Sequence, residues 1–82
     1  MASYGAESKL TSEEVLQKAI AYFGPGGLGL EVCQQDPCRV DFTGGGGHVA
    51  ISTKAAGKKT SVDLETQEWD LQVRRFMRTI GR

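Results

Sequence analysis

The chain has 82 residues, ten of them basic and ten acidic, so its formal net charge at pH 7 is +0. At this length we expect one domain with one core, which excludes a catalytic domain joined to a separate regulatory domain. The balanced charge argues against a nucleic-acid-binding protein. The composition, with 39% hydrophobic residues and only two cysteines, argues against a disordered, collagen-like or disulfide-scaffold chain.

The N-terminal segment lacks the pattern of a folded element. Residues 1–9 show no periodic apolar spacing, and the first such spacing begins at Leu10. We therefore expect a flexible tail over residues 1–9, followed by a single α+β domain over residues 10–82.

A capped amphipathic helix is predicted over residues 12–23. Its apolar residues repeat at helical spacing: Val15, Leu16, Ala19, Ile20 and Phe23. Thr11 lies three residues before Glu14, which is the spacing of a capping box. Gly24 and Pro25 end the helix, because glycine adopts the left-handed cap and proline cannot continue it.

After the turn at residues 25–27 the apolar period changes from 3.6 to 2, which indicates β-strands. Apolar residues alternate in four short segments: Leu28, Leu30 and Val32; Val40 and Phe42; Val49 and Ile51; Val62 and Leu64. The turns between them lie at residues 36–37, 44–47 and 55–59. None of these connections is long enough for a crossover helix, so we expect a four-stranded antiparallel meander.

The apolar residues of the first hairpin suggest its register. Pairing Val32 with Val40 places both on the core face and makes residues 35–37 a three-residue loop. The same register places Glu31 opposite Asp41, and opposed like charges are destabilising. A shift of two residues would remove that conflict, so both registers stay open.

A second amphipathic helix is predicted over residues 66–80, ended by Gly81. Its apolar stripe consists of Trp69, Val73, Phe76, Met77 and Ile80. We expect Trp69 to be largely buried. The predicted fold is thus a helix, a four-stranded antiparallel meander and a second helix, with both helices packed on one face of the sheet.

The last strand and helix, from Val62-Asp63-Leu64 to the segment 69–80, resemble the end of a helix-grip domain of the START-like type. The resemblance covers the final half of the chain and is one of topology, without diagnostic residues. In that family a larger sheet wraps around the last helix and an apolar ligand cavity. Because this chain has too few predicted strands to enclose such a cavity, the resemblance implies no binding residue here.

The four-glycine run is a candidate ligand-binding loop, because glycine N–H groups can cradle an anion. The candidate set is Gly44, Gly45, Gly46, Gly47, His48 and Lys54. The loop at residues 24–29 could lie at the same end of the sheet and complete the site. No Gly-Lys-Ser/Thr follows the run, and the next segment is a predicted strand, which favours a simple hairpin connector.

Cys33, Cys38 and His48 are the candidate metal ligands, but a structural zinc site needs four. The chain also lacks the Cys-x-x-Cys pattern of a redox couple. We therefore predict no metal and no cofactor. By strand parity Cys33 lies on the outward face and Cys38 on the core face, so both are predicted to be reduced thiols.

His48 is the only histidine and the obvious base at neutral pH. Strand parity places it on the outward sheet face with Glu31, Asp41, Thr43, Ser52, Ser61 and Asp63. A carboxylate–histidine pair would suit acid–base catalysis. Such a set is more often a solvated sheet face, so we predict that the protein is not an enzyme.

Two basic clusters invite a nucleic-acid interpretation: Lys54, Lys58 and Lys59 at a turn, and Arg74, Arg75, Arg78 and Arg82 on the last helix. An RNA-binding sheet would also present aromatic side chains outward, whereas the aromatic residues here occupy core positions. No apolar run approaches the ~20 residues of a membrane span, and the N-terminus lacks a signal-peptide pattern. We expect a cytoplasmic protein that binds neither nucleic acid nor membrane.

These observations favour a non-enzymatic protein-interaction module. Its partner is either another protein or a second copy of the chain, because small residues on the sheet (Gly29, Ala50, Ser52 and Ser61) suit burial against another surface. The alternative is a small-molecule or anion-binding protein that uses the glycine-rich loops 24–29 and 44–48.

Overall fold

The structure, a computed structural model, describes residues 2–81, which form five strands and two helices. In chain order these are β1 (Ala2–Ser8), α1 (Ser12–Phe23), β2 (Glu31–Asp36), β3 (Arg39–Gly44), β4 (Gly47–Ala56), β5 (Lys59–Gln67) and α2 (Asp70–Ile80). The strands form one antiparallel sheet in the order β1-β5-β4-β3-β2. The predicted α+β class with an antiparallel sheet is confirmed, whereas the prediction of four strands is wrong.

The additional strand, β1, occupies most of the segment 1–9 that we predicted to be a flexible tail. It pairs with β5 along its whole length, with Tyr4 and Ala6 on the core side. Its small and polar residues give little strand signal, and the pairing with β5 satisfies every second backbone N–H and C=O group of this edge strand. Met1 and Arg82, which belong to the predicted tail and arginine cluster, lie outside the described residues.

The first helix has the predicted bounds, but Gly24 ends it in an extended conformation, with a φ of −74°, and not in the predicted left-handed one. α1 spans Ser12–Phe23, and its N-cap Thr11 accepts a hydrogen bond on Oγ1 from the backbone N–H of Glu14 at 3.2 Å. The Glu14 carboxylate in turn accepts from the backbone N–H of Thr11 at 3.0 Å. Both halves of the capping box are therefore present.

The β2–β3 hairpin adopts the second of the two registers that the sequence left open, so the pairing of Val32 with Val40 is wrong. Glu31 lies opposite Thr43, and Val32 lies opposite Phe42, which is the two-residue shift that separates Glu31 from Asp41. A bulge between Val32 and Gln34 then changes the pairing by one more residue. The shift keeps the apolar side chains of both strands on the core face.

The connection between β2 and β3 is also shorter than predicted. Pro37 and Cys38 form a two-residue turn between the paired residues Asp36 and Arg39. The Asp36 carboxylate accepts a hydrogen bond from the Cys38 backbone N–H at 3.0 Å, as in an Asx turn. This side-chain bond stabilises the short loop.

The second helix begins four residues later than predicted. Thr66 belongs to β5, where it lies opposite Val49 and its hydroxyl donates to the His48 carbonyl oxygen at 2.8 Å. Glu68 has a φ of 78°, a left-handed conformation that cannot continue a strand or begin a helix. The polypeptide therefore turns at Glu68, and α2 starts at Asp70 with Trp69 as its N-cap.

Both helices lie on the same face of the sheet. α1 packs against β3 and β4, and α2 packs against β1 and β5. Phe23 of α1 has its ring centroid 5.6 Å from that of Phe42 on β3 and 5.3 Å from that of Phe76 on α2. All three rings are buried, so the two helices and the sheet share one core.

Replacing Phe76 by alanine should lower the free energy of unfolding by about 3–5 kcal/mol, because the ring is fully buried and would leave a cavity. Chemical denaturation measures the loss. Arg75→Ala, at an exposed position of the same helix, is the control and should change stability by about 0.5 kcal/mol or less. Equal effects of the two substitutions would contradict this packing.

The capping box makes stability depend on acid pH. The hydrogen bond from the Thr11 backbone, with a second contribution from its hydroxyl, lowers the pKa of Glu14 below its ordinary value of 4.5. Because the folded pKa is the lower one, the ionised carboxylate stabilises the fold above about pH 4.5, and this contribution disappears as the pH falls through the folded pKa.

We therefore expect Glu14→Gln to lower the melting temperature at pH 7 and to leave it nearly unchanged at strongly acid pH. Glu13→Gln removes the same first-turn charge without touching the cap, and it should cause a smaller loss at pH 7. A Glu14→Gln effect that is constant from pH 7 to pH 2 would contradict this role of the carboxylate.

Candidate interaction surfaces

The glycine run forms a tight hairpin turn between β3 and β4. Gly44 pairs with Gly47, and the two residues between them, Gly45 and Gly46, have φ values of 59° and 82°. A two-residue turn of type I′ requires positive φ at both central positions. The conformation of the turn therefore accounts for these two glycines.

The indole of Trp69 packs against this turn. Its Nε1–H donates a hydrogen bond to the Gly44 carbonyl oxygen at 2.9 Å. A Cβ atom at Gly45 would lie 2.7 Å from Cζ2 of the indole, so the ring approaches the backbone more closely than a side chain there would allow. The side chain is partly buried and packs against the core cluster at the start of α2.

The second glycine-rich loop, residues 24–29, reaches the same end of the sheet. Leu30, which directly follows this loop, lies against Gly44. The backbone N–H groups of Gly27 and Gly29 both donate to the Gly24 carbonyl oxygen, at 3.0 and 2.9 Å. The N–H of Leu28 also donates within the chain. These N–H groups already donate to backbone carbonyl oxygens of the protein. The anion site at loops 24–29 and 44–48 stays a prediction.

His48 and Lys54 are not brought together. Both lie on the outward side of β4, but six residues separate them, which is about 20 Å along a strand. The cross-strand neighbours of His48 are Thr43 and Gln67, neither of which is a carboxylate. The candidate carboxylate Asp63 lies opposite Ser52 instead. The arrangement therefore offers no direct acid–base partner for the histidine.

Both cysteines are free and exposed. Cys33 lies at the bulge of β2, and Cys38 lies in the turn before β3 rather than on the core face, because the shifted register moves it out of the strand. Among residues 2–81, no three His, Cys, Asp or Glu side chains cluster closely enough to hold a metal ion.

The outward face of the sheet has no helix or loop packed on it in the part of the chain that the structure describes. Its centre is a shallow depression of about 260 Å³ floored by the small residues Ser3, Ala50 and Ser52. Asp63 and Glu65 lie on β5, between Ser3 of β1 and the small residues of β4, and Arg39 lies on β3 beyond β4. We call these six residues the sheet-face depression.

The charges around the depression are unbalanced. The Arg39 guanidinium is paired with Asp41 of its own strand at 3.0 Å. Asp63 and Glu65 are exposed, and neither forms an ion pair with any other described residue. Acidic residues also outnumber basic ones on the outward side of the strands: Glu7, Glu31, Asp36, Asp41, Asp63 and Glu65 against Arg39, Lys54 and Lys59. The face therefore attracts cations.

Sequence reasoning identified part of this depression and missed the rest. The predicted outward face includes Asp63 and Ser52 but not Glu65, and Ser3 falls in the predicted tail. The alternation of β5 continues to Gln67, with Thr66 inward and Glu65 outward, and this extension would have revealed Glu65. No local pattern would have revealed Ser3.

Comparisons with known proteins found no matching family model and no match among curated proteins. Within residues 2–81, no helix has the length and apolar character needed to cross a membrane.

Replacing single glycines by alanine should distinguish the loss of stability caused by backbone strain from the loss caused by steric conflict. Gly45→Ala should destabilise the protein by about 2 kcal/mol or more, because it combines a left-handed φ with contact against the indole. Gly46→Ala, with a left-handed φ but open space, should cost about 1 kcal/mol. Gly26→Ala, with neither constraint, should cost less than about 0.5 kcal/mol. Thermal denaturation gives the order, and equal losses would contradict it.

Proposed function

We propose that the protein is a non-enzymatic interaction module that binds a basic protein partner on the outward face of its sheet. The proposal rests on the sheet-face depression, in which small residues of β1 and β4 flank two carboxylates of β5 that form no ion pair with another described residue. A five-stranded sheet, with one face uncovered by any other described element, provides a broad surface for a second protein. The absence of a carboxylate beside His48 within the described strands favours binding over catalysis.

The geometry of the carboxylates favours arginine or lysine in the partner. Asp63 and Glu65 are two residues apart on one strand, so their side chains point to the same side of the sheet. A guanidinium inserted between them could form charge-assisted hydrogen bonds with both, while its aliphatic part lies over Ala50 and Ser52. A partner that projects one such side chain from a polar surface would fill the depression.

A second copy of the chain fits this face less well. Face-to-face pairing of two copies would bring two acidic surfaces together, and like charges at an interface oppose association. The proposal therefore commits to a different protein as the partner. It also places the protein in the cytoplasm, where the two exposed thiols, Cys33 and Cys38, would remain reduced.

The test uses a short peptide that alternates arginine with threonine, labelled for fluorescence anisotropy. Asp63→Asn combined with Glu65→Gln should weaken its binding about tenfold or more, since each lost charge-assisted hydrogen bond is worth roughly 1.5–3 kcal/mol. Glu13→Gln combined with Glu68→Gln removes the same charge from other exposed positions and should have little effect.

Equal weakening by the two double variants would mean that only net charge matters, and the proposal would be wrong. Amide chemical shifts locate the peptide, and the largest changes should fall on Ala50, Ser52 and their neighbours. Sedimentation across a dilution series tests for a second copy as the partner. A mass that rises with concentration would replace the proposed partner by the chain itself.

A further inference from the structure

The two edges of the sheet differ in their protection against an added strand. The edge strand β2 is interrupted by a bulge after Val32 and is followed by Pro37, and both features discourage pairing with another chain. The opposite edge strand, β1, pairs with β5 over seven consecutive residues without a shift. It contains no proline, lysine or arginine, and its one charged residue is Glu7. Among residues 2–81, the edge of β2 therefore has features that oppose strand addition, and the edge of β1 has none of them.

A groove runs beside this edge, between β1 and α2. It has a volume of about 320 Å³ and is lined by Ala6, Arg74, Met77, Arg78 and Gly81. Ala6 and Met77 supply apolar surface, and the two arginines supply positive charge. Arg74 and Arg78 are exposed and form no ion pair with another residue of the described chain. The groove is therefore apolar at its base and cationic at its rim.

One acidic residue, Asp70, lies near the start of this groove. Its carboxylate accepts a hydrogen bond from the Tyr4 hydroxyl at 2.9 Å, which ties the beginning of α2 to β1. This hydrogen bond also raises the pKa of Tyr4, so the phenol remains a neutral donor. Asp70 is thus bonded to its own sheet and forms no ion pair with Arg74 or Arg78, so both guanidinium groups are available to a ligand.

We propose that β1 accepts an extended acidic peptide segment of another protein as a sixth strand of the sheet. The main chain of the segment would hydrogen-bond to the free N–H and C=O groups of β1, as in other cases of strand addition. Its alternate side chains would enter the groove, where carboxylates meet Arg74 and Arg78 and an apolar residue packs on Met77. The site goes beyond the proposed function, since it uses another surface and a ligand of opposite charge.

Self-pairing of β1 is the competing occupant. A two-fold pairing of β1 with the same strand of a second copy would place both α2 helices side by side, with Arg74 and Arg78 of each near those of the other. None of the residues on the groove side of β1 carries a negative charge: these are Ala2, Tyr4, Ala6 and Ser8. Glu7 lies on the outward side and cannot neutralise the arginines. Charge therefore favours an acidic segment over a second copy.

The probe is a seven-residue peptide with threonine at odd positions and glutamate, valine and glutamate at the second, fourth and sixth. We expect Arg74→Gln combined with Arg78→Gln to weaken its binding about tenfold or more, as loss of two charge-assisted contacts implies. Arg75→Gln, at an exposed position of α2 outside the groove, is the control and should bind like the original chain. A peptide with lysine in place of glutamate should not bind.

Amide hydrogen exchange distinguishes strand addition from simple charge attraction. Alternate amides of Ala2–Ser8 should exchange rapidly in the free protein and become protected when the peptide is bound, because strand pairing uses every second N–H group. Binding without this protection, or equal binding by the Gln variants, would overturn the proposal. A concentration-dependent dimer with the same protection would identify a second copy as the occupant. Asp63→Asn and Glu65→Gln should leave this binding unchanged, so its failure is separable from that of the sheet-face proposal.

Discussion

The contact of three phenylalanine rings, from Phe23, Phe42 and Phe76, joins the three parts of the molecule. Phe23 ends α1 and is fully buried between a strand and the other helix. The Leu30 backbone N–H donates to the Phe23 carbonyl oxygen at 2.8 Å, so the same residue sets where β2 begins. Leu30 then lies against Gly44. Phe23 thus connects the core, which its side chain joins, with the glycine-rich end of the sheet, which its backbone contacts through Leu30.

Packing both helices on one face has a direct consequence for binding. The strands direct their apolar side chains to the helices, so the opposite face keeps only polar and small residues, with Ala50 and Ser52 at its centre. A chain this short has few elements with which to cover a second face. Both the uncovered face and the exposed edge of β1 therefore follow from the small number of elements in the described chain. They carry opposite charges, because carboxylates lie on the face and arginines lie beside the edge.

The elements that were predicted correctly from the sequence depend on residues that are close together in the chain. The first helix and its capping box depend on Thr11 and Glu14, which are three residues apart, and the structure shows both hydrogen bonds. The hairpin register was harder, because the apolar pattern permitted two alignments and the repulsion between Glu31 and Asp41 distinguished them. A bulge beyond Val32 leaves no clear mark in the apolar pattern, since it inserts one residue into an exposed strand.

The sequence by itself determined the α+β class, the extent of α1 and the alternation that directs each strand's apolar side chains to one core, because these depend on neighbours within one or two turns of the chain. Only the tertiary structure decided that residues 2–8 form a strand, since their small side chains carry little signal until β5 provides hydrogen-bonding partners. Both candidate surfaces depend on that strand. The depression joins Ser3 to Glu65, and the groove joins Ala6 to Arg74, residues that are more than 60 positions apart in the chain. Contacts at such separation arise from packing of the whole chain and have no local pattern.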